Sequence, residues 1–294
     1  SWNSAKFKVM NGNKQTGLTH LHVYNFVIYR MERGTVACIL ITACRSLRKI
    51  YSNSPHAFSV NFNHKSIKME AHIQALRINR NPLNLVLGTK RKLGLRIGYM
   101  EAALKGFYLN SIETGVHPQK LTRLLSEEFH CVDTESTNGL LQFLTNEGDR
   151  VPYQIMLPYL LSSDNINEFE TIIHKRFFGV ERFIQQGKNL YKFVKYTEER
   201  RDPIIWINDL EKGIIGWDMG LLVSLARASQ TCGHISKEQA WKYIEQAAQL
   251  CSLDLHTAEE IDKSFLLGKA MKSGKIEDWD RLLSCYSLLG KHRR

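Results

Sequence analysis

The segment that most constrains the fold is Ile214–Leu225, IIGWDMGLLVSL, which is apolar nearly all round. A helix with one apolar stripe lies on a surface, whereas one that is apolar on every side must be surrounded. The segment therefore predicts a helix at the centre of a bundle, and the chain supplies amphipathic neighbours for it on both sides. Ahead of it, Pro118 opens a run with Leu121, Leu124, Leu125 and Phe129 on one face. Proline is tolerated in a first helical turn because its missing N–H has no partner there. Thr137, Asn138 and Gly139 precede a short run of Leu140, Leu141, Phe143 and Leu144. Ser162, Ser163 and Asp164 offer cap oxygens to a helix with Phe169, Ile172, Ile173 and Phe177 inside. Phe183, Ile184, Leu190, Tyr191 and Val194 form a further stripe, interrupted at Gly187. Ile204–Trp206 is too short to classify.

Beyond the central segment, Ser236 with Gln239 and Thr257 with Glu260 have capping-box spacing. They open helices that bury Ala240, Trp241, Ile244 and Ala248, and Ile261, Phe265 and Leu266. Asp278 is expected to cap a last helix with Trp279, Leu282, Leu283 and Tyr286, stopped by Gly290. Periodicity and caps agree with one another. They predict an all-α, multi-helix bundle from about residue 100 to residue 294, with residues 1–99 as a separate basic segment.

Charge separates the two parts. Residues 1–100 carry 16 Lys and Arg against only Glu32 and Glu70, while residues 101–294 carry 24 bases against 27 acids. The net charges of +14 and −3 make the chain's overall +11, the asymmetry of two segments of different character. In the first, His20–Tyr29 and Phe58–Phe62 alternate or cluster like strands, Ala71–Leu76 suits a short helix and Asn79–Pro82 is a turn signal, so a mixed α/β structure is the expectation. Its longest apolar run, Val36–Cys44, has nine residues, too few to cross a hydrocarbon core of roughly 30 Å. No transmembrane segment is expected. The six cysteines, Cys38, Cys44, Cys131, Cys232, Cys251 and Cys285, form neither CxxC pairs nor a zinc spacing. Buried thiols in a reducing cytoplasm are the preferred reading, and a secreted effector with disulfides is the alternative.

Motifs for catalysis are scarce. There is no P-loop, GxGxxG, GxSxG or HExxH, and neither a cofactor nor a metal site is expected. His20 and His22 share one face of a strand without a third ligand at defined spacing, and His130, Cys131 and Asp133 read as ordinary helix-end residues. Asp218 is different, because a carboxylate on a fully apolar helix must find a partner or shift its pKa. Arg227, Arg150 or a helix N-terminus are candidate partners. The preferred reading makes Asp218 a buried cap or ion pair that fixes packing. The alternative makes it catalytic, with Arg150 and Arg227 nearby and Asp209, Glu181 or Glu211 around a metal. Lys90, Arg91, Lys92 and Arg96 form a basic patch, as do Arg45, Arg48 and Lys49, and with Tyr51, Phe58, Phe62 and Tyr99 they are candidates for nucleic-acid contact.

Several phrases together resemble one family. They are GWDMGLLVSLARAS from Gly216, GHISKEQAW from Gly233, SFLLGK from Ser264, LTNEGDRVPYQIMLPYLL from Leu144 and FFGVERFIQQGKNLYKF from Phe177. The stretch from about 100 to 290 thereby resembles the bacterial domain-of-unknown-function family 1266 (DUF1266). Where that family has an Arg three residues after the Trp-Asp pair, this chain has Leu221. Thr257 and Ala258 stand where it has Ser-Trp, and Lys269 follows Gly268 in place of Arg. The resemblance implies a bacterial helical domain and no established activity. With catalytic motifs missing, the chain is expected to bind another macromolecule through a groove between helices. Trp206, Trp217, Trp241 and Trp279 are candidate anchors, most of them expected in the core. A protein partner is the first expectation, a hydrolase or nuclease-like toxin using Asp218 the second, and nucleic-acid binding by residues 1–99 the third.

Overall fold

Fourteen consecutive residues, Gly216–Ser229, are buried, and all of them belong to one helix. The structure is a computed structural model that describes residues 76–83 and 86–292, within a unit spanning Ala71–Arg294. The strand-like segments, the His20/His22 pair, Val36–Cys44 and the Arg45–Lys49 patch lie outside the described residues, as does Ala71–Leu76 apart from Leu76. The described chain is helical: α1 (Thr89–Ile97), α2 (Tyr99–Lys105), α3 (Pro118–Phe129), α4 (Thr134–Asn146), α5 (Arg150–Ser162), α6 (Ile166–Arg176), α7 (Glu181–Glu198), α8 (Ile207–Glu211), α9 (Ile215–Thr231), α10 (Lys237–Asp254), α11 (Ala258–Ala270) and α12 (Ile276–Lys291). No strand forms among the described residues beyond a single bridge between Asn79 and Tyr108. None of these helices is long and apolar enough to cross a membrane.

The bundle is built around α9, which packs against α1, α2, α3, α4, α10 and α11. Small residues let its neighbours come close. A Cβ on Gly216 would stand 2.6 Å from the Ile261 carbonyl oxygen of α11, and one on Gly220 would stand 2.9 Å from the Phe265 ring. Val223, seven residues after Gly216, lies on the same stripe, and a Cβ on Gly98 would stand 2.6 Å from it. Outside this inner group, α7 packs on α6, α5 and α11, and α12 closes over α11 and α2. The edge-on contact of Phe193 with Trp279, centroids 5.7 Å apart, is part of the same core.

Helix boundaries follow local hydrogen bonding. Both expected capping boxes form, with Ser236 accepting from Gln239 N–H at 3.2 Å and Thr257 accepting from Glu260 N–H at 3.1 Å. Pro118 occupies the first turn of α3. Four expected boundaries move. Helix α4 starts before Thr137, because Asp133 accepts from Ser136 N–H at 2.8 Å and Ser136 Oγ accepts from Asp133 N–H, a box with serine in the Glu/Gln place. Helix α6 is capped by Asn165, which accepts from Asn167 and Glu168, while Ser163 ends α5. Gly187 does not interrupt α7, since its missing side chain makes room for the Phe169 ring of α6. Asp278 lies inside the first turn of α12 and takes a hydrogen bond from Ser273 Oγ, and the helix runs past Gly290 to Lys291.

Candidate functional site

Asp218 sits near the start of α9 with no solvent exposure. Its partners come from the turn that leads into α5. Oδ1 accepts from the backbone N–H of Asp149 at 2.9 Å, and Oδ2 accepts from the backbone N–H and the Nη1 of Arg150, each at 3.1 Å. Helix α5 has no side-chain cap of its own. Asp218 supplies one from another helix, placing a carboxylate at the positive end of the α5 dipole. Arg150 is fixed in turn by the Leu144 and Thr145 carbonyls of α4, at 2.8 and 2.6 Å. The turn needs glycine twice over at Gly148. Its φ is +64°, and a Cβ there would overlap the Asp218 carboxylate.

A second carboxylate, Asp149, lies beside the first. Its Oδ2 accepts from Trp217 Nε1 at 2.9 Å and from Lys272 Nζ at 2.6 Å, and Arg182 reaches Oδ1 at 3.4 Å. The two acids are pushed apart electrostatically. Burial, then the Asp149 charge, raise Asp218 from 3.8 to about 7. Burial alone raises Asp149 as well, but Lys272, Trp217 and Arg182 outweigh it and hold this carboxyl below its ordinary value. Helix α11 completes the cluster. Gly268 lets the Trp217 indole lie against its backbone, and Lys269 stands 5.1 Å above that ring while pairing with the buried Glu101 at 3.3 Å. Ser264 Oγ accepts from Gly216 N–H and donates to the Gly213 carbonyl. Three phrases distant in sequence, GDR, GWD and SFLLGK, thus meet at one place. It is a charge-compensated joint between α5, α9 and α11, with its carboxylates buried and its cations partly exposed.

Arg227 does not join it. Also without exposure, it lies farther along α9 and donates to the carbonyls of Tyr108, Ile112 (3.3 Å) and Glu113 (3.1 Å), holding the 106–117 connection against the bundle. Burial lowers it to about 10. Among the described residues no three His, Cys, Asp or Glu side chains converge as a metal site. Asp209, named with Asp218 in the catalytic alternative, instead caps α8 through Trp206 N–H and pairs with Lys263 at 3.1 Å.

The remaining predicted residues separate into covered and open ones. Trp217, Trp241 and Trp279 are buried. Arg91 lies 4.7 Å over Trp241 and pairs with Glu245, so two candidates from α1 and α10 touch each other. Arg96 pairs with Asp262 at 3.3 Å and covers Tyr99, while Lys90 and Lys92 are exposed. Trp206 is the exception among the named tryptophans, at 58% exposed, beside Ile207 at 63%. The pair borders a shallow groove of about 220 Å³ lined by Val194, Pro203, Ile205, Leu210 and Glu198. Sequence reasoning named Trp206 but missed the groove, which assembles from α7, α8 and the turn between them. It also missed Asp149 and Lys272. A Trp217 indole N–H inside the core needed an acceptor, and that was the available signal for Asp149.

No curated protein and no solved structure matches the chain. Residues 124–293, more than half of its length, match the family described as "Protein of unknown function (DUF1266)", and the chain belongs to that family.

Proposed function

We propose that this DUF1266 chain is a protein-interaction module that docks a partner in the groove between α7 and α8. The observation that carries the reading is the neighbouring exposure of Trp206 and Ile207 on an apolar floor. Large aromatic side chains with a ready apolar pocket are the usual anchors of interfaces. The polar cluster around Asp218 faces inward and is compensated by hydrogen bonds, which suits a packing role. The buried, unbridged thiols of Cys131, Cys251 and Cys285 suit a reducing compartment such as a bacterial cytoplasm.

The test is affinity capture with the wild type and the Trp206→Ala variant, followed by reconstitution of the captured pair from purified proteins. The expected result is a direct complex lost in the variant while its circular dichroism is unchanged. A reproducible enzymatic activity, abolished by Asp218→Asn in a folded protein, would overturn the reading in favour of catalysis. So would a direct complex indifferent to Trp206.

A further inference from the structure

The stretch that leads into and through α1 carries one sign of charge. Residues 71–100 hold six bases, Arg77, Arg80, Lys90, Arg91, Lys92 and Arg96, and no acid. Two of the six find acids on other helices, Arg91 with Glu245 of α10 and Arg96 with Asp262 of α11. Arg77, Arg80, Lys90 and Lys92 are exposed and pair with no acid among the described residues. Glu113, on the connection that Asn81 touches through Ser111, is taken by Lys237 at 3.1 Å. Between the free bases stand the two most exposed large apolar side chains of the described residues, Leu83 at 86% and Val86 at 97%.

The chain on either side of this pair is held down. Asn79 Nδ2 donates to the Gly106 carbonyl at 2.8 Å, and the Asn81 N–H and carbonyl engage the Asn110 side chain at 2.7 and 3.0 Å. Asn81 Oδ1 then accepts from Leu83 N–H at 2.9 Å. On the far side Leu87 packs on the core, and α1 lies so close to α10 that a Cβ on Gly94 would stand 2.6 Å from Ile244. Two aliphatic side chains are thus offered to solvent from anchored chain, with free cations before and after them. A nucleic-acid backbone would answer the cations alone, because Leu83 and Val86 have no ring to stack on a base, and Tyr99 is covered by Arg96 at 4.8 Å. A bilayer with anionic headgroups answers both, taking the aliphatic groups among its acyl chains and the bases on its phosphates. We infer that Leu83 and Val86 dip into the surface of an anionic lipid bilayer while Arg77, Arg80, Lys90 and Lys92 rest on its headgroups. The contact is peripheral and reversible, and it does not depend on the Trp206 groove.

Flotation of the full chain with vesicles of phosphatidylcholine alone, and of phosphatidylcholine mixed with phosphatidylglycerol, tests the inference. The chain should float with the anionic vesicles only, and less so as salt is raised. Binding should fall at least about tenfold in a Leu83→Ser, Val86→Ser double variant and severalfold in a Lys90→Gln, Lys92→Gln double variant. Insertion is read separately. In Leu83→Trp the added fluorescence should shift to the blue with anionic vesicles and be quenched by lipids brominated in their acyl chains. Residues 1–70 carry ten further bases against Glu32 and Glu70, so binding that ignores Leu83 and Val86, or a Leu83→Trp signal that vesicles leave unmoved, is charge attraction alone and overturns the inference. So would a failure to float with anionic vesicles, or displacement from them by an oligonucleotide, which would assign the bases to nucleic acid. Unchanged circular dichroism of each variant shows that lost binding is not lost folding.

Discussion

Replacing Asp218 by asparagine separates packing from protonation at the buried carboxylate. With its carbonyl oxygen toward Arg150, asparagine keeps both Arg150 hydrogen bonds and turns its amide against the Asp149 N–H, a donor facing a donor. One unsatisfied buried group costs about 1–3 kcal/mol. Alanine removes all three acceptor contacts and leaves two buried N–H groups without a partner, while Arg150 keeps the Leu144 and Thr145 carbonyls, at about 2–4 kcal/mol. The pH dependence is the more telling readout. Asp218 is raised from 3.8 to about 7 by burial and by Asp149. Between those values the folded protein holds a proton that the unfolded chain has released, so stability falls as pH rises, by about 1.4 kcal/mol per pH unit. The contribution is complete below about pH 4 and lost as pH passes about 7, roughly 4 kcal/mol over the window. Asparagine does not titrate, and the Asp149 contribution is common to both proteins. The wild type's advantage over Asp218→Asn should therefore shrink by about 2 kcal/mol from pH 5 to pH 7 and level off above pH 8. Urea unfolding of both proteins across that range, followed by circular dichroism, measures it. A difference that stays constant, or that grows with pH, would refute the reasoning, because the carboxylate would then be charged throughout.

Gly148→Ala combines a positive φ with overlap against Asp218, and should cost about 3 kcal/mol or more in the same unfolding experiment. Thr257→Ala removes one half of a capping box and should cost about 1 kcal/mol, read as a lower Tm. Arg227→Met keeps the volume but frees three carbonyls, so hydrogen exchange should accelerate across residues 107–114 more than in α10 or α12. Trp206→Ala lies on the surface and should leave stability within about 0.5 kcal/mol of the wild type.

The parts of the fold that depend on neighbouring residues were legible in the sequence. The all-round apolar run became α9, and the boxes at Ser236 and Thr257 formed as spaced. Boundaries failed where one cap competed with another nearby. Asp133 displaced Thr137, and Asn165 displaced the Ser162–Asp164 cluster, because only backbone geometry decides which oxygen faces the open N–H groups. Helix α1 gave little local signal, having an uncapped Gly88 start and a run of bases, and its contacts with α10 and α9 hold it in place. The Asp218 environment shows the same division. That a buried acid needed a partner followed from its helix. That Arg150 rather than Arg227 answers it depends on residues 68 positions away in sequence.

The position of α9 along the chain has a consequence for biosynthesis. It is the wall on which α1, α2, α3 and α4 rest, yet it is made after all of them. Those earlier helices therefore emerge from the ribosome with Leu95, Ile97, Met100, Leu121, Leu125 and Leu141 uncovered, waiting for a scaffold more than a hundred residues downstream of the first. Shortening the chain to the family-matched region from residue 124 would also bare the flank of α9 that Ile97 and Gly98 now seal.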